Sequence, residues 1–332
     1  MNRKVVATLF AALFALSALL LIPPISSTPP ITIKIGVIAA RLDETTVHFF
    51  EKIIEPDINE YLKKLPKQSP PLRIDFLVED AQMSAEIHLE KVQQFHAMGV
   101  DLIIGGYWSS QAYYSLDYVN DNDMLLISPS SCAPLLAIPR DNLFRLCPDD
   151  NIQGRILAQM ISNRGIENVI VIQRDDVWAN GLYDVFQTEY EGTILERLVY
   201  PPEEEYFHSY LAAADAAAAG KEVSVLLISF DEQRQIMIEA SYGWYPNIYG
   251  EGPDPRCPPW FGTESSGRSQ AAIEECPDQA VHLKILSAIS APPDSSKFND
   301  LNERYLRYIG YEMDYYDSTE IDCAWILAQA VL

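Results

Sequence analysis

Five serines stand in two tight groups: Ser109 and Ser110 just after Gly105-Gly106, and Ser128, Ser130 and Ser131 just after the apolar run Met124 to Ile127. Short hydroxyls beside free backbone N–H groups suit an anionic group such as a carboxylate. Serine is also a common helix N-cap, and here the two roles coexist, because a helix N-terminus that cradles an anion is capped by it. Signatures of catalysis are missing. The chain has no Gly-x-Ser-x-Gly, no P-loop, no His-Glu-x-x-His and no Gly-x-Gly-x-x-Gly. His88 and His96 share a helix but lie eight residues apart, too far to chelate one ion, and no cysteine spacing resembles a zinc site. The chemistry on offer is binding.

Apolar runs alternating with amphipathic stretches must position these groups. Strands are predicted at Ile33 to Ala39, Leu72 to Val78, Leu102 to Ile104 and Met124 to Ile127. The helices between them are Glu44 to Leu65, divided or kinked at Pro56, then Ala85 to Met98, closed by Gly99, then Gln111 to Asn120. After Pro148-Asp149-Asp150 the rhythm restarts. Helices are expected at Asn151 to Asn163, Ala179 to Tyr190, Phe207 to Ala219 and Glu232 to Tyr242. The strands are Asn168 to Gln173, Thr193 to Val199, Val223 to Ile228, one near Trp260, and His282 to Ile289. Ala291-Pro292-Pro293 reads as a crossing segment, followed by helices at Phe298 to Tyr308 and Thr319 to Leu332. Strands separated by helices of this length imply parallel sheets, and ligands sit at the carboxyl edge of such sheets.

The order of motifs resembles the type I periplasmic binding proteins, in particular the branched-chain amino acid (Leu/Ile/Val) receptors of ABC transporters. The residues that carry the likeness are Glu79-Asp80-Ala81-Gln82, Ser109-Ser110, Ser128-Pro129 through Pro134, Phe144-Arg145, Pro148-Asp149-Asp150, Trp260 through Glu264, and Tyr316-Asp317 through Leu332. The resemblance implies two doubly wound parallel-sheet α/β lobes joined by a multi-segment hinge. Residues 31–147 would form one lobe, with 292–332 returning to it, and 148–291 the other. It implies that Ser109 bonds a ligand α-carboxylate, with Ser110 beside it, and that Ser131 holds the place of a small residue at the head group, where Ser130 or Ser131 would supply the hydroxyl. Cys132 stands where the family has threonine and is a poor hydrogen-bond donor. Glu264 matches the acid that pairs with a ligand ammonium; a helix cap or a solvated loop acid is its plainer reading. Trp178 matches an aromatic that closes over the ligand, and Phe230 and Asp231 hold the corresponding strand end of the second lobe. Arg41 follows the first strand and reads as a surface arginine. Family members continue for some tens of residues past the helix that here ends at Leu332, so this stretch stops in mid-pattern.

Bulk properties bound the partners. Over 332 residues, 47 acids against 24 bases give a formal charge of −23, which excludes nucleic acid and disfavours anionic lipid. Asn2-Arg3-Lys4, the apolar run Val5 to Ile22 and the proline-rich exit to Pro30 read as an export signal or an uncleaved anchor. The folded body is therefore expected on the extracytoplasmic face of the membrane. Of five cysteines, Cys257 and Cys276 are a candidate disulfide, Cys132 and Cys147 a second, and Cys323 a buried thiol. The resemblance implies a protein, not an enzyme and without cofactor, that captures an amino acid or similar solute for an ABC permease by closing two lobes. The alternatives are a ligand-sensing receptor ectodomain and a binder of an amide- or urea-type solute.

Overall fold

The computed structural model describes residues 29–66, 70–250, 258–267, 269–292 and 294–332. The targeting segment, Cys257 and Pro293 lie outside the described residues. The first sheet is built from β1 (Ile31–Ala39), β2 (Leu72–Asp80), β3 (Leu102–Ile104), β4 (Leu125–Ser128) and β5 (Leu143–Arg145), in the order β2-β1-β3-β4-β5. The second comprises β6 (Asn168–Arg174), β7 (Thr193–Tyr200), β8 (Ser224–Ile228), β9 (Trp260–Gly262) and β10 (Leu286–Ser287), in the order β10-β9-β8-β6-β7. Every pairing is parallel. Read from β7, the second sheet repeats the strand order of the first. Each therefore has one switch point, between β1 and β3 and between β6 and β8, where the connecting helices diverge and leave a crevice.

Burial follows the side-chain alternation of each strand. In the first lobe Ile35 and Val37 face a core shared with Phe49, Phe50, Ile53, Tyr305, Ile321 and Leu327. Ile38 and Ile103 face the opposite core with Val92, Phe95 and Leu116. Each such aliphatic or aromatic side chain contributes roughly 1.5–3 kcal/mol on burial. The C-terminal helices Ser296–Ile309 and Tyr315–Ala330 thus pack on the first sheet although they follow the second in sequence. The second sheet has the same two faces, one around Trp260, Tyr200 and Phe207, the other around Phe186, Phe261 and Leu182.

Two expectations are corrected and one is sharpened. The stretch from His282 to Ile289 is not one strand. Pro277 starts a helix, Pro277–Leu283, which Lys284 closes in the left-handed region at φ 48°, and only Leu286 and Ser287 pair with β9. The irregularity in the first long helix precedes Pro56. Residues Phe50–Ile54 form a π turn, with the Glu55 N–H donating to the Phe50 carbonyl, and Pro56 sits in the first turn of Glu55–Lys64. Proline cannot donate to the carbonyl four residues back, so the bonding shifts just before it. Finally, the candidate disulfides are not formed, since Cys132, Cys147 and Cys276 are free thiols, while Cys323 is the buried thiol expected. Among the described residues no helix is long and apolar enough to cross a membrane.

Candidate ligand-binding cleft

Both switch points open onto one hollow of about 590 Å³ between the lobes, a volume that suits a small ligand. The first lobe contributes Ala40 and Arg41 after β1, Tyr107, Trp108 and Ser109 after β3, and Ser130 after β4. The second contributes Trp178 after β6, Phe230 and Asp231 after β8, and Glu264 after β9. Tyr316, from the returning C-terminal helix, completes the wall. A second hollow of about 780 Å³ shares Glu264, Gly267, Asp314 and Tyr316 with it.

The first-lobe wall is tied together internally. Ser128 Oγ donates to the Gly106 carbonyl at 2.7 Å and accepts from the Ser131 N–H at 3.0 Å. Ser131 Oγ also donates to Gly106, and Ser130 Oγ donates to the Tyr107 carbonyl at 2.8 Å. Ser109 Oγ accepts from the Ala133 N–H at 3.1 Å, which leaves its own proton to give. Gly106 adopts φ +64°, and a Cβ there would meet Ala112, so the turn requires glycine. His88 anchors that turn from beneath. Its Nε2 accepts from the Gly106 N–H at 2.8 Å, so Nδ1 carries the proton and donates to Ser115 Oγ at 2.7 Å. Burial holds the His88 pKa down at about 3, so the ring is neutral.

Arg145 explains the Phe-Arg motif. Its guanidinium donates to the Ser131 and Ala133 carbonyls at 3.1 and 3.0 Å, holding the turn after β4. Asp149 caps the helix Asp150–Ser162, and the Asp150 N–H donates to the Cys132 carbonyl at 2.9 Å, joining the first lobe to the start of the second.

The second-lobe wall is aromatic and acidic. Phe230 stacks on Trp178 at 4.4 Å between ring centroids and 12° between planes, and Trp108 of the first lobe stacks on Phe230 at 5.4 Å. The Arg174 guanidinium lies 4.4 Å from the Phe230 centroid and is paired with Asp176 and Glu232. The Glu264 N–H donates to Gln153 Oε1 at 3.0 Å. Burial pushes the Glu264 carboxyl up to about 7, against polar contacts from its own backbone, Gln153, Trp178 and Tyr316 that pull it down. Beside it, Asp150 is pushed up to about 10, by burial first and then by the charges of Glu264 and Cys132. On the first-lobe side Tyr107 hydrogen-bonds Glu320, whose carboxyl burial raises to about 8.

Of the residues singled out in the sequence, Ser109, Ser130, Trp178, Phe230, Asp231 and Glu264 line the 590 Å³ hollow, with Asp231 exposed at its rim. Cys132 lies behind it, in a recess of about 60 Å³ shared with Asp150, Gln153, Glu264 and Tyr316. Ser110 lines none of these hollows, and Ser131 is fully buried with its hydroxyl bonded to Gly106. Arg41, expected on the surface, is exposed at the rim of the hollow. Sequence reasoning passed over Tyr107, Trp108, Gln153 and Tyr316 as site residues. Trp108 carried a signal, an aromatic between a glycine pair and a serine pair at a strand end. Tyr316 was read only as the start of a late-helix motif, because its approach to the cleft depends on the return of the last helix.

Two α/β lobes of one topology face each other across a polar and aromatic cleft. The chain belongs to the family described as the receptor family ligand binding region, whose model matches residues 59–332. A protein of Methanocaldococcus jannaschii, uncharacterized protein MJ1266, is 25% identical over 313 residues, 89% of this chain and 71% of the relative. Among solved structures the fold is similar to the branched-chain amino acid transporter substrate-binding protein LivJ from Streptococcus pneumoniae in complex with isoleucine. That likeness has a TM-score of 0.69 at 16% identity and covers 91% of this chain and 84% of the other. It is also similar to a solute-binding protein of an ABC transporter from Rhodopseudomonas palustris in complex with 3,4-dihydroxybenzoic acid. There the TM-score is 0.66 at 14% identity, covering 90% and 80%.

Proposed function

We propose that this protein captures an amino acid or amino-acid-like solute on the extracytoplasmic side and delivers it to an ABC permease by closure of two lobes. The lobes are taken as residues 31–147 with 292–332, and residues 148–291. One observation carries the reading: a single hollow is bounded by Ser109 at a helix N-terminus in one lobe and by Glu264 in the other. A carboxylate suits the first and an ammonium the second, so a zwitterion bridges the lobes. Ser130 and the aromatic rings of Trp178, Phe230 and Trp108 complete the enclosure. The ligand bound to the similar LivJ structure supports the class. The permease and the membrane attachment through the N-terminal segment belong to the same reading.

The test is thermal stability of the full chain in chelator-containing buffer against amino acids, amides and simple carboxylates. A ligand at about 100 times its Kd raises stability by ~2.7 kcal/mol. A shift confined to one amino acid class, lost in Glu264→Gln, supports the proposal. A flat panel over a cooperative melt overturns it. The stack of Trp108, Phe230 and Trp178 favours a second reading, an aromatic carboxylate. Such a ligand brings no ammonium, so it binds best below pH 7, where Glu264 holds its proton. An amino acid has the opposite pH dependence.

A further inference from the structure

We propose that Cys132, Asp150 and Glu264 form a site for a divalent transition-metal cation of the zinc class, seated where the two lobes meet. The Cys132 sulfur and one carboxylate oxygen from each acid lie within 4.8 Å of one another. The three come from separate segments: the turn after β4, the first residue of the helix Asp150–Ser162, and the turn after β9. Asp150 is 2% exposed. Its Oδ1 accepts from Gln153 Nε2 at 2.8 Å, while Oδ2 is enclosed with no hydrogen-bond partner. Glu264 Oε2 is likewise enclosed and unpartnered. A buried carboxyl oxygen without a hydrogen-bond partner is costly, and two beside one thiol offer three converging ligand atoms to a single cation.

The donor set selects the class of cation. Calcium and magnesium take six or more oxygens and are poorly served by a thiol. Copper(I) prefers several sulfurs. One thiolate and two carboxylates suit zinc or cobalt(II) in four-coordinate geometry, with the fourth position left for another donor. The Tyr316 hydroxyl is 3.5 Å from the Cys132 sulfur. Binding displaces the thiol proton, so the cation enters with proton release. Since Cys132 lies in the first lobe and Glu264 in the second, the cation holds the lobes shut. The proposal stands apart from the amino acid reading except that both use Glu264, so cation and ammonium compete for one socket.

Cobalt(II) titration of the metal-free full chain tests this. The expected result is one equivalent with tetrahedral visible absorption and a near-ultraviolet thiolate-to-cobalt band, displaced by zinc. Cys132→Ser should abolish the thiolate band. Asp150→Asn should weaken cobalt binding by more than the roughly 10–100-fold typical of losing an outer-shell partner, and it carries the test if Cys132→Ser does not fold. Absence of the band in the folded wild-type protein overturns the proposal, as does a band that persists unchanged in Cys132→Ser. A flat amino acid panel in chelator leaves the cobalt result untouched, so the two readings fail separately.

Discussion

At the cleft edge of the first lobe the serine hydroxyls are already engaged. Ser128, Ser130 and Ser131 donate to main-chain carbonyls, and Ser109 accepts from Ala133. Neutral His88 locks the Gly106 turn beneath them. At the edge of the second lobe Glu264 Oε2 and Ser266 Oγ are enclosed and unpartnered, and the stacked rings of Trp178 and Phe230 form much of the surface. Two sheets of identical strand order thus end in a finished wall and an unfinished one. The finished wall is preorganised and loses little on binding. The unfinished wall carries polar groups that cost about 1–3 kcal/mol each until a ligand meets them. Differential contact of that kind is what lets a ligand drive closure.

The sharpest way to break the contrast is Glu264→Gln. Loss of one partner of a buried charge pair costs ~2–5 kcal/mol, so calorimetry should show amino acid affinity falling by that much. With Glu264 at about 7, protons compete with the ammonium, and wild-type affinity should fall about tenfold per pH unit below that value. The variant should show no such slope.

The same acids set the stability of the unliganded protein. Folded Glu264 and Asp150 hold their protons to about 7 and about 10, above their ordinary values of 4.5 and 3.8. Above those ordinary values the folded state binds more protons than the unfolded state, so unfolding free energy decreases as pH rises. Urea midpoints should therefore fall from pH 5 to pH 9, and Asp150→Asn should flatten the decline. A midpoint that rises across this range would show that the acids are ionised and paired. In the first lobe, His88→Leu removes an acceptor from the Gly106 N–H and a donor from Ser115, at about 1–3 kcal/mol for each group left unpaired. The urea midpoint should drop with an unchanged m value.

Much of this is legible in the amino-acid sequence. The alternation of apolar runs and amphipathic helices implied two parallel-sheet lobes, because the central strands, such as β8 and the second half of β1, are buried on both faces and read as continuous apolar runs. Ser109, Ser130, Trp178, Phe230 and Glu264 were visible as strand-end residues, since a parallel sheet sends its carboxyl ends to one edge. What sequence spacing could not supply was contact across elements. Tyr316 arrives from the far end of the chain. Ser131 was expected at the ligand and instead bonds Gly106, a choice fixed by the φ +64° turn. His88 was passed over as scattered because its partners are 18 and 27 residues away. The segment from His282 to Ile289 misled because its apolar residues fit a strand as well as a helix, and Pro277 decided the matter.

The smallest expected effect falls on the aromatic contact between the walls. Trp108 begins the first-lobe helix yet lies against Phe230 of the second. Such a stacked pair is worth about 0.5–1.5 kcal/mol beyond its buried area. Trp108→Leu keeps an apolar side chain there and removes the stack. If the rings hold the lobes together, the variant should lose that amount of ligand affinity chiefly through faster release, measured by stopped-flow displacement of a bound ligand. Its urea midpoint should change little, because each lobe keeps its own core. If the midpoint falls and release is unchanged, Trp108 belongs to the finished wall, and the lobes are held by the polar groups around Glu264 instead.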